Sequence, residues 1–282
     1  MMRRALFMAS LLGLLASCGG HKDNSVDVSA CRNELTANKI YRTEVWLETS
    51  GSVTPGAGDS STAGEHPMLT GTSHSVVNIE TGVDTVEGRL PVVVRLELSE
   101  NVRSINGVHL PGAIPDTLDG TVEMNGYYSD HEIHLDSTDA TVIQEWRALT
   151  GTVLSSLTKS IEFPDQPMKI GESFSRSEPM DIPLHLNSEA SVVITYTLKD
   201  FDDRTAQFSV EAAMSMADSS DLARSDFSLN GSGDVVYDLR TGNVKSKEMA
   251  MDALLPAAFT GMGMGMAVRI SERLHVDVFD AE

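Results

Sequence analysis

Residues 130–136 (Asp-His-Glu-Ile-His-Leu-Asp) concentrate side chains that can bind a metal. The imidazoles of His131 and His134 and the three carboxylates are ligand types that zinc accepts. In a strand, however, residues three apart point to opposite faces, so both histidines would reach one ion only from an irregular loop. We therefore expect an exposed polar strand or turn here and predict no metal or other cofactor, with zinc at His131 and His134 as the less favoured alternative.

Methionine pairs are the second group of side chains that could bind a ligand. A Met-x-Met spacing places both thioethers on one face of a strand. Thioethers suit copper(I), but methionine also fills irregular cores and lines adaptable apolar grooves. We favour core packing first, groove lining second and copper third. The spacing occurs at Met214/Met216, Met249/Met251 and Met262/Met264/Met266.

An apolar, partly glycine-rich stretch runs from Leu254 to Met266. If such a stretch is exposed, it is a candidate contact for a lipid or a protein partner. The predicted contact residues for an apolar ligand or partner are Met214, Met216, Met249, Met251, Leu254, Leu255, Phe259, Met262, Met264 and Met266.

The sequence lacks three common catalytic motifs. There is no Gly-x-Ser-x-Gly nucleophile elbow, no Gly-x-x-x-x-Gly-Lys phosphate loop and no His-Glu-x-x-His helix. We predict no catalytic residue and a protein that is not an enzyme, with a hydrolase as the less favoured alternative.

The N-terminus has the pattern of a secretion signal. Arg3 and Arg4 precede an apolar run over residues 5–15. That run is shorter than the roughly 20 residues that span a bilayer as a helix. A basic start, a short apolar centre and small residues before a cleavage site indicate a cleaved signal, which we predict to be residues 1–17.

The tetrapeptide Leu15-Ala16-Ser17-Cys18 resembles the lipobox of bacterial lipoproteins. The resemblance implies that the Cys18 thiol receives a diacylglyceryl group and that its amine becomes the new, acylated N-terminus. Each buried methylene contributes about 0.8 kcal/mol, so several acyl chains anchor a protein firmly. Position 19 is Gly, whereas Asp at this position would resemble the sorting pattern of inner-membrane lipoproteins. The resemblance therefore implies attachment to the outer membrane, with the protein facing the periplasm. The alternative is an ordinary signal peptide with a chance cysteine.

The charge of the chain is strongly acidic. The sequence has 21 basic and 41 acidic residues. Loss of Arg3 and Arg4 with the signal leaves 19 basic residues and a formal charge of −22. This charge argues against nucleic acid and against anionic head groups as partners of the surface. With Cys18 lipidated, Cys31 has no cysteine to pair with, and we interpret it as an incidental thiol rather than a redox centre.

Period-two alternation predicts a mainly β protein, of the β-rich α+β class, with curved antiparallel sheets. The clearest strands are Val92 to Leu98, Val192 to Leu198 with its hairpin partner Ala206 to Met216, and Val268 to Val278. Glu272 breaks the apolar row of the last strand, which predicts a bulge or bend there.

A spacing of three and four in residues 138–159 predicts one amphipathic helix. The order of strands before and after it suggests a degenerate duplication into two β lobes, which form two curved sheets or one long one. The predicted organisation is a lipidated, flexible tether at 18–38, a first lobe with the helix at 39–165 and a second lobe at 166–282.

The second half resembles a family of uncharacterised bacterial envelope lipoproteins that is catalogued as a domain of unknown function. The similarity covers roughly residues 160–280. It implies a compartment and a fold class but no activity. Its carrying residues are Phe163-Pro164, Lys169 to Phe174, Tyr196-Thr197-Leu198 and Tyr237 to Val244.

The sequence therefore predicts a lipid-anchored outer-membrane protein that faces the periplasm. The first expectation is a non-enzymatic module that contacts the membrane through its lipid and binds an unidentified envelope protein. The alternative is a carrier that holds a lipid or other apolar ligand in a curved half-barrel, an analogy at the level of fold alone.

Overall fold

A computed structural model describes residues 25–55, 67–110, 121–136, 154, 161–179, 190–216, 227–255 and 264–281. These residues are mainly strand, which confirms that the protein is mainly β. Fourteen strands have bounds within the described ranges: β1 Ser25–Val26, β2 Lys39–Pro55, β3 Met68–Thr81, β4 Leu90–Ile105, β5 Val108–His109, β6 Val122–Ser129, β7 Glu132–Leu135, β8 Met168–Lys169, β9 Ser173–Pro179, β10 Ala190–Phe201, β11 Thr205–Met216, β12 Ser228–Asp238, β13 Val244–Leu255 and β14 Met264–Asp280.

Twelve of these strands form one antiparallel sheet. Its order is β7-β6-β4-β3-β2-β14-β13-β12-β11-β10-β9, and β5 pairs with β4. The first long strand, β2, pairs with the last, β14, from Lys39↔Asp280 to Pro55↔Met264. The two halves of the chain thus join in the middle of a single long sheet, one of the two arrangements that the sequence allowed.

The strands bury one face because apolar residues alternate with polar ones. On β4, the row Val92, Val94, Leu96 and Leu98 is at most 3% exposed, as its spacing predicted. On β11, the row that contains Phe208 and Val210 is likewise buried. We call the side that carries these rows the core face and the opposite side the outer face. The outer face carries ion pairs such as Arg95 with Glu80 and Glu123.

Two predictions about local structure have different outcomes. The predicted bulge at Glu272 is wrong, because this residue pairs with Met249 and Leu47 without a register shift on either side. The carboxylate pairs with Lys247 on the neighbouring strand. The predicted helix at 138–159 lies outside the described residues except for Leu154, which is buried. No helix within the described ranges is long and apolar enough to cross a membrane.

The chain ahead of β2 packs on the core face. Val28 and Cys31 are fully buried, and the Val244 amide donates to Oδ1 of Asn33 at 2.9 Å. The described part of the predicted tether, residues 25–38, is therefore packed, because Val28, Cys31 and Leu35 supply apolar side chains among polar ones. Residues 18–24 lie outside the described part of the chain. Burial raises the pKa of the Cys31 thiol to about 12, as expected for a packing cysteine.

Candidate functional site

A cavity of about 330 Å³ lies on the core face of the second half of the sheet. We call it the core-face cavity. Side chains from six consecutive strands, β9 to β14, line it, and Asn33 and Ile161 approach it from the segments packed on that face. Most of the wall is aliphatic: Val192, Ile194, Val210, Ala212, Leu229, Val235, Val244, Met249 and Met251.

Small residues on β11 and β12 pair with residues of the cavity wall. Gly231 pairs with Ala212 and Met251, and Gly233 pairs with Met249, so two glycines lie in the middle of an otherwise apolar row. A Cβ at Gly233 would meet the Glu248 carbonyl at 2.0 Å, and one at Gly231 would meet Cγ of Met251 at 3.0 Å. Backbone and methionine side chains approach so closely that larger residues do not fit.

Five aromatic rings pack beside the cavity. Phe163 lies 5.0 Å from Phe174 and 5.0 Å from Tyr237 between ring centroids, and Tyr196 and Phe208 complete the cluster. Burial raises the pKa of Tyr196 and, more strongly, that of Tyr237, so both phenols stay neutral. Four of the five residues, all except Phe208, belong to the segments from which the sequence analysis predicted a family. Those residues therefore form a packed aromatic wall as well as strand and turn signatures.

Two ion pairs border the same cavity. Arg176 and Glu178 lie two residues apart on β9 and pair at 2.5 Å. Nζ of Lys247 on β13 lies 2.7 Å from Oε2 of Glu272 on β14. The Arg176 guanidinium also lies over the Tyr196 ring, 5.7 Å from its centroid. The site thus combines an aliphatic wall with four charged groups of zero net charge.

The structure brings some of the predicted contact residues to the cavity and leaves others away from it. Met249 and Met251 line it. Met214, Leu255 and Met266 are half-buried on the core face, whereas Leu254 is 41% exposed on the outer face. Met216 ends β11, and Met264 begins β14. Phe259 and Met262 lie outside the described residues, as do Leu15, Ala16, Ser17 and Cys18.

The histidine segment forms the hairpin between β6 and β7. His131 occupies the turn with a positive φ of 62°, and its Nδ1 lies 3.5 Å from the Tyr128 hydroxyl. His134 lies on β7 and stacks on Tyr127 at 4.8 Å. Within the described ranges, no group of three or more His, Cys, Asp or Glu side chains is placed to hold a metal.

The sequence reasoning missed the charged residues of the cavity. Arg176 and Glu178 follow Phe174 on one row of β9, and Lys247 precedes Met249 and Met251 on one row of β13. A charge on an otherwise apolar row was the available signal. At Glu272, such a charge was interpreted from the sequence as a sign of a bulge or bend in the strand.

Comparisons with known proteins indicate the fold but no family. No protein-family model matches the chain, and no curated protein matches it. The solved structure of lipovitellin, from a study of its lipid–protein interactions, aligns with a TM-score of 0.53 and 10% identity over 88% of this chain. The chain spans about a quarter (26%) of the lipovitellin chain.

Two further solved structures align with lower scores. An exported protein with a YmcC-like fold from Bacteroides fragilis aligns with a TM-score of 0.18, 8% identity and coverage of 86% of this chain and 96% of its own. An outer-membrane channel from Pseudomonas putida F1 aligns with a TM-score of 0.24, 8% identity and coverage of 86% and 97%.

Proposed function

We propose that this protein is a non-enzymatic envelope lipoprotein that binds the acyl chain of an amphiphile in the core-face cavity. The cavity itself carries the proposal. Its volume of about 330 Å³ and its mostly aliphatic wall match small-molecule sites, which measure roughly 300–1,000 Å³ and place a few polar groups on an apolar lining.

The architecture supports this proposal. Strands lie about 4.8 Å apart, so β9 and β14 would be roughly 24 Å apart on a flat sheet. Because side chains from both strands line one cavity, the geometry favours a sheet that bends around its ligand. The fold of this chain is similar to that of lipovitellin, whose solved structure comes from a study of lipid–protein interactions. The predicted lipid on Cys18 would hold the domain at the periplasmic side of the outer membrane, next to a supply of acyl chains.

Photo-crosslinking with a diazirine-bearing fatty acyl probe tests the proposal. The chain from residue 19 onward, exported without Cys18, avoids signal from the anchor itself. We expect labelled peptides from β10, β11 and β13, including Met251, and loss of label when unlabelled acyl chain competes. Leu254 on the outer face of the same strand is the internal control. Label that collects at Leu254 and spares Met251 would reject the cavity as the site.

A second candidate function is docking of an envelope protein on the outer face. A depression of about 400 Å³ there is bordered by Met68 and Leu254, which are 51% and 41% exposed. Ala267 and Ser52 lie between these two side chains on the intervening strands. Exposed apolar residues that border one depression are typical of interaction sites. Replacement of both by lysine should abolish chemical crosslinks to an envelope partner in intact cells and leave acyl-probe labelling unchanged. Crosslinks that persist would remove this candidate.

A further inference from the structure

The polar border of the core-face cavity consists of charged groups on rows that otherwise carry apolar residues. Next to Glu272 on its row, Leu274 is 1% exposed, and the cross-strand partner of Lys247 is the buried Val235. The Glu272 and Lys247 side chains are only 13% and 29% exposed, and those of Arg176 and Glu178 are about 20% exposed.

A gain in folding stability is a poor explanation for the presence of such partly buried ion pairs. Removing two charges from water costs about as much as their attraction returns, so well-packed apolar residues in their place are often neutral or stabilising. The neighbouring positions show that apolar side chains are accommodated on these rows. A ligand that needs both signs of charge gives these four residues a role that packing does not.

The sum of the charges selects the class of ligand. Arg176 and Lys247 balance Glu178 and Glu272, so the border is neutral as a whole. An anionic or cationic head group would leave one charge uncompensated in a half-buried site, which is costly. A head group with one phosphate and one ammonium keeps the balance. The phosphate of such a head group would accept hydrogen bonds from Arg176 and Lys247, and its ammonium would donate to the two glutamates.

We propose that the ligand of the core-face cavity is a zwitterionic amphiphile whose head group carries a phosphate and an ammonium, held by the Arg176–Glu178 and Lys247–Glu272 pairs. This inference rests on the proposed acyl-chain binding, because both ion pairs border the same cavity.

A head-group series tests it on the wild-type chain. Three short-chain lipids with identical acyl chains, carrying phosphoethanolamine, phosphoglycerol or uncharged glycerol, are titrated calorimetrically below their micelle concentrations. We expect the phosphoethanolamine lipid to bind at least about ten-fold more tightly than either of the others. Equal affinity for all three would overturn the head-group inference and leave the acyl-chain proposal standing. Absence of binding by all three would overturn both.

A substitution that removes one charge gives a second test, which predicts the direction in which the ligand preference changes. Glu272→Gln leaves the border with a net positive charge, so the phosphoglycerol lipid should become the preferred ligand. Asp234→Asn is the matched control, because Asp234 pairs with Lys199 at 3.0 Å on the outer face. It should leave the order of affinities unchanged. If Glu272→Gln folds with wild-type circular dichroism and keeps the wild-type preference, the assignment of Glu272 to the ammonium is wrong. If it does not fold, the wild-type series decides.

Discussion

Filling the core-face cavity should stabilise the fold and weaken ligand binding. Ala212 lies on the cavity wall at 8% exposure. Ala212→Leu adds three carbons, and burial of each contributes about 0.8 kcal/mol, or roughly 2.4 kcal/mol in total. The ordering of the leucine side chain costs about 0.5–1 kcal/mol, which leaves a gain of about 1.5 kcal/mol. For a chain of this size the melting temperature should rise by about 3–6 °C.

The same substitution should weaken acyl-chain binding. Three ligand methylenes that the leucine displaces forfeit roughly 2.4 kcal/mol, which corresponds to a Kd about 50-fold higher. Thermal unfolding followed by circular dichroism and titration with a fluorescent acyl probe measure the two effects on the same preparation.

A matched control lies on the same strand and the same face. Ala206 is fully buried and does not border the cavity. Ala206→Leu should therefore overpack the core, lower stability by about 1–3 kcal/mol and leave the probe affinity of the folded protein unchanged. If Ala212→Leu lowers the melting temperature as much as Ala206→Leu does, or leaves the probe Kd unchanged, then the space at Ala212 is not a ligand site.

Three further predictions concern the fold. Gly242→Ala should destabilise by more than about 2 kcal/mol, because φ is +71° and the new Cβ would meet the Ala30 carbonyl at 2.1 Å. Its control, Gly88→Ala, has a φ of +76° but no atom within 4 Å, so it should cost only about 1 kcal/mol. Equal losses of stability for the two variants in urea titrations would contradict the clash. Thr43→Val should stabilise by about 1 kcal/mol in the same titration, since Thr43 is fully buried and its Oγ1 lacks a hydrogen-bond partner in the described structure; a loss of stability would show that the hydroxyl is satisfied. Burial raises the pKa of Cys31 from 9.0 to about 12, so the thiol should resist Ellman's reagent at pH 8 until the protein unfolds. The contribution of the neutral thiol to stability is complete below pH 9 and should be lost as the pH rises towards 12. Rapid labelling of the native protein at pH 8 would contradict this.

The strands were predictable from sequence where polar and apolar residues alternate strictly. Val92 to Leu98 and Val192 to Leu198 lie as their period of two predicts. The pairing of β2 with β14 was not predictable. It joins residues more than two hundred positions apart, and the register of such strands is set by the packing of the whole face.

The site was predictable only in part. The Met249/Met251 spacing indicated a shared face and a possible groove. The pairing of these two methionines with Gly231 and Gly233 on the neighbouring strand is a relation that only the register reveals. The Lys247–Glu272 pair likewise joins residues from two strands that no local pattern connects. The segment around Cys31 was interpreted as tether because its apolar residues are sparse and follow no strand period.

Native mass spectrometry of residues 19–282, purified gently from the periplasm, tests the central claim most directly. The proposed function predicts that the wild-type chain carries an adduct with the mass of one amphiphile and that Ala212→Leu, prepared in the same way, carries none. A bare mass for the wild-type chain, or the same adduct on both chains, would contradict ligand binding in the core-face cavity.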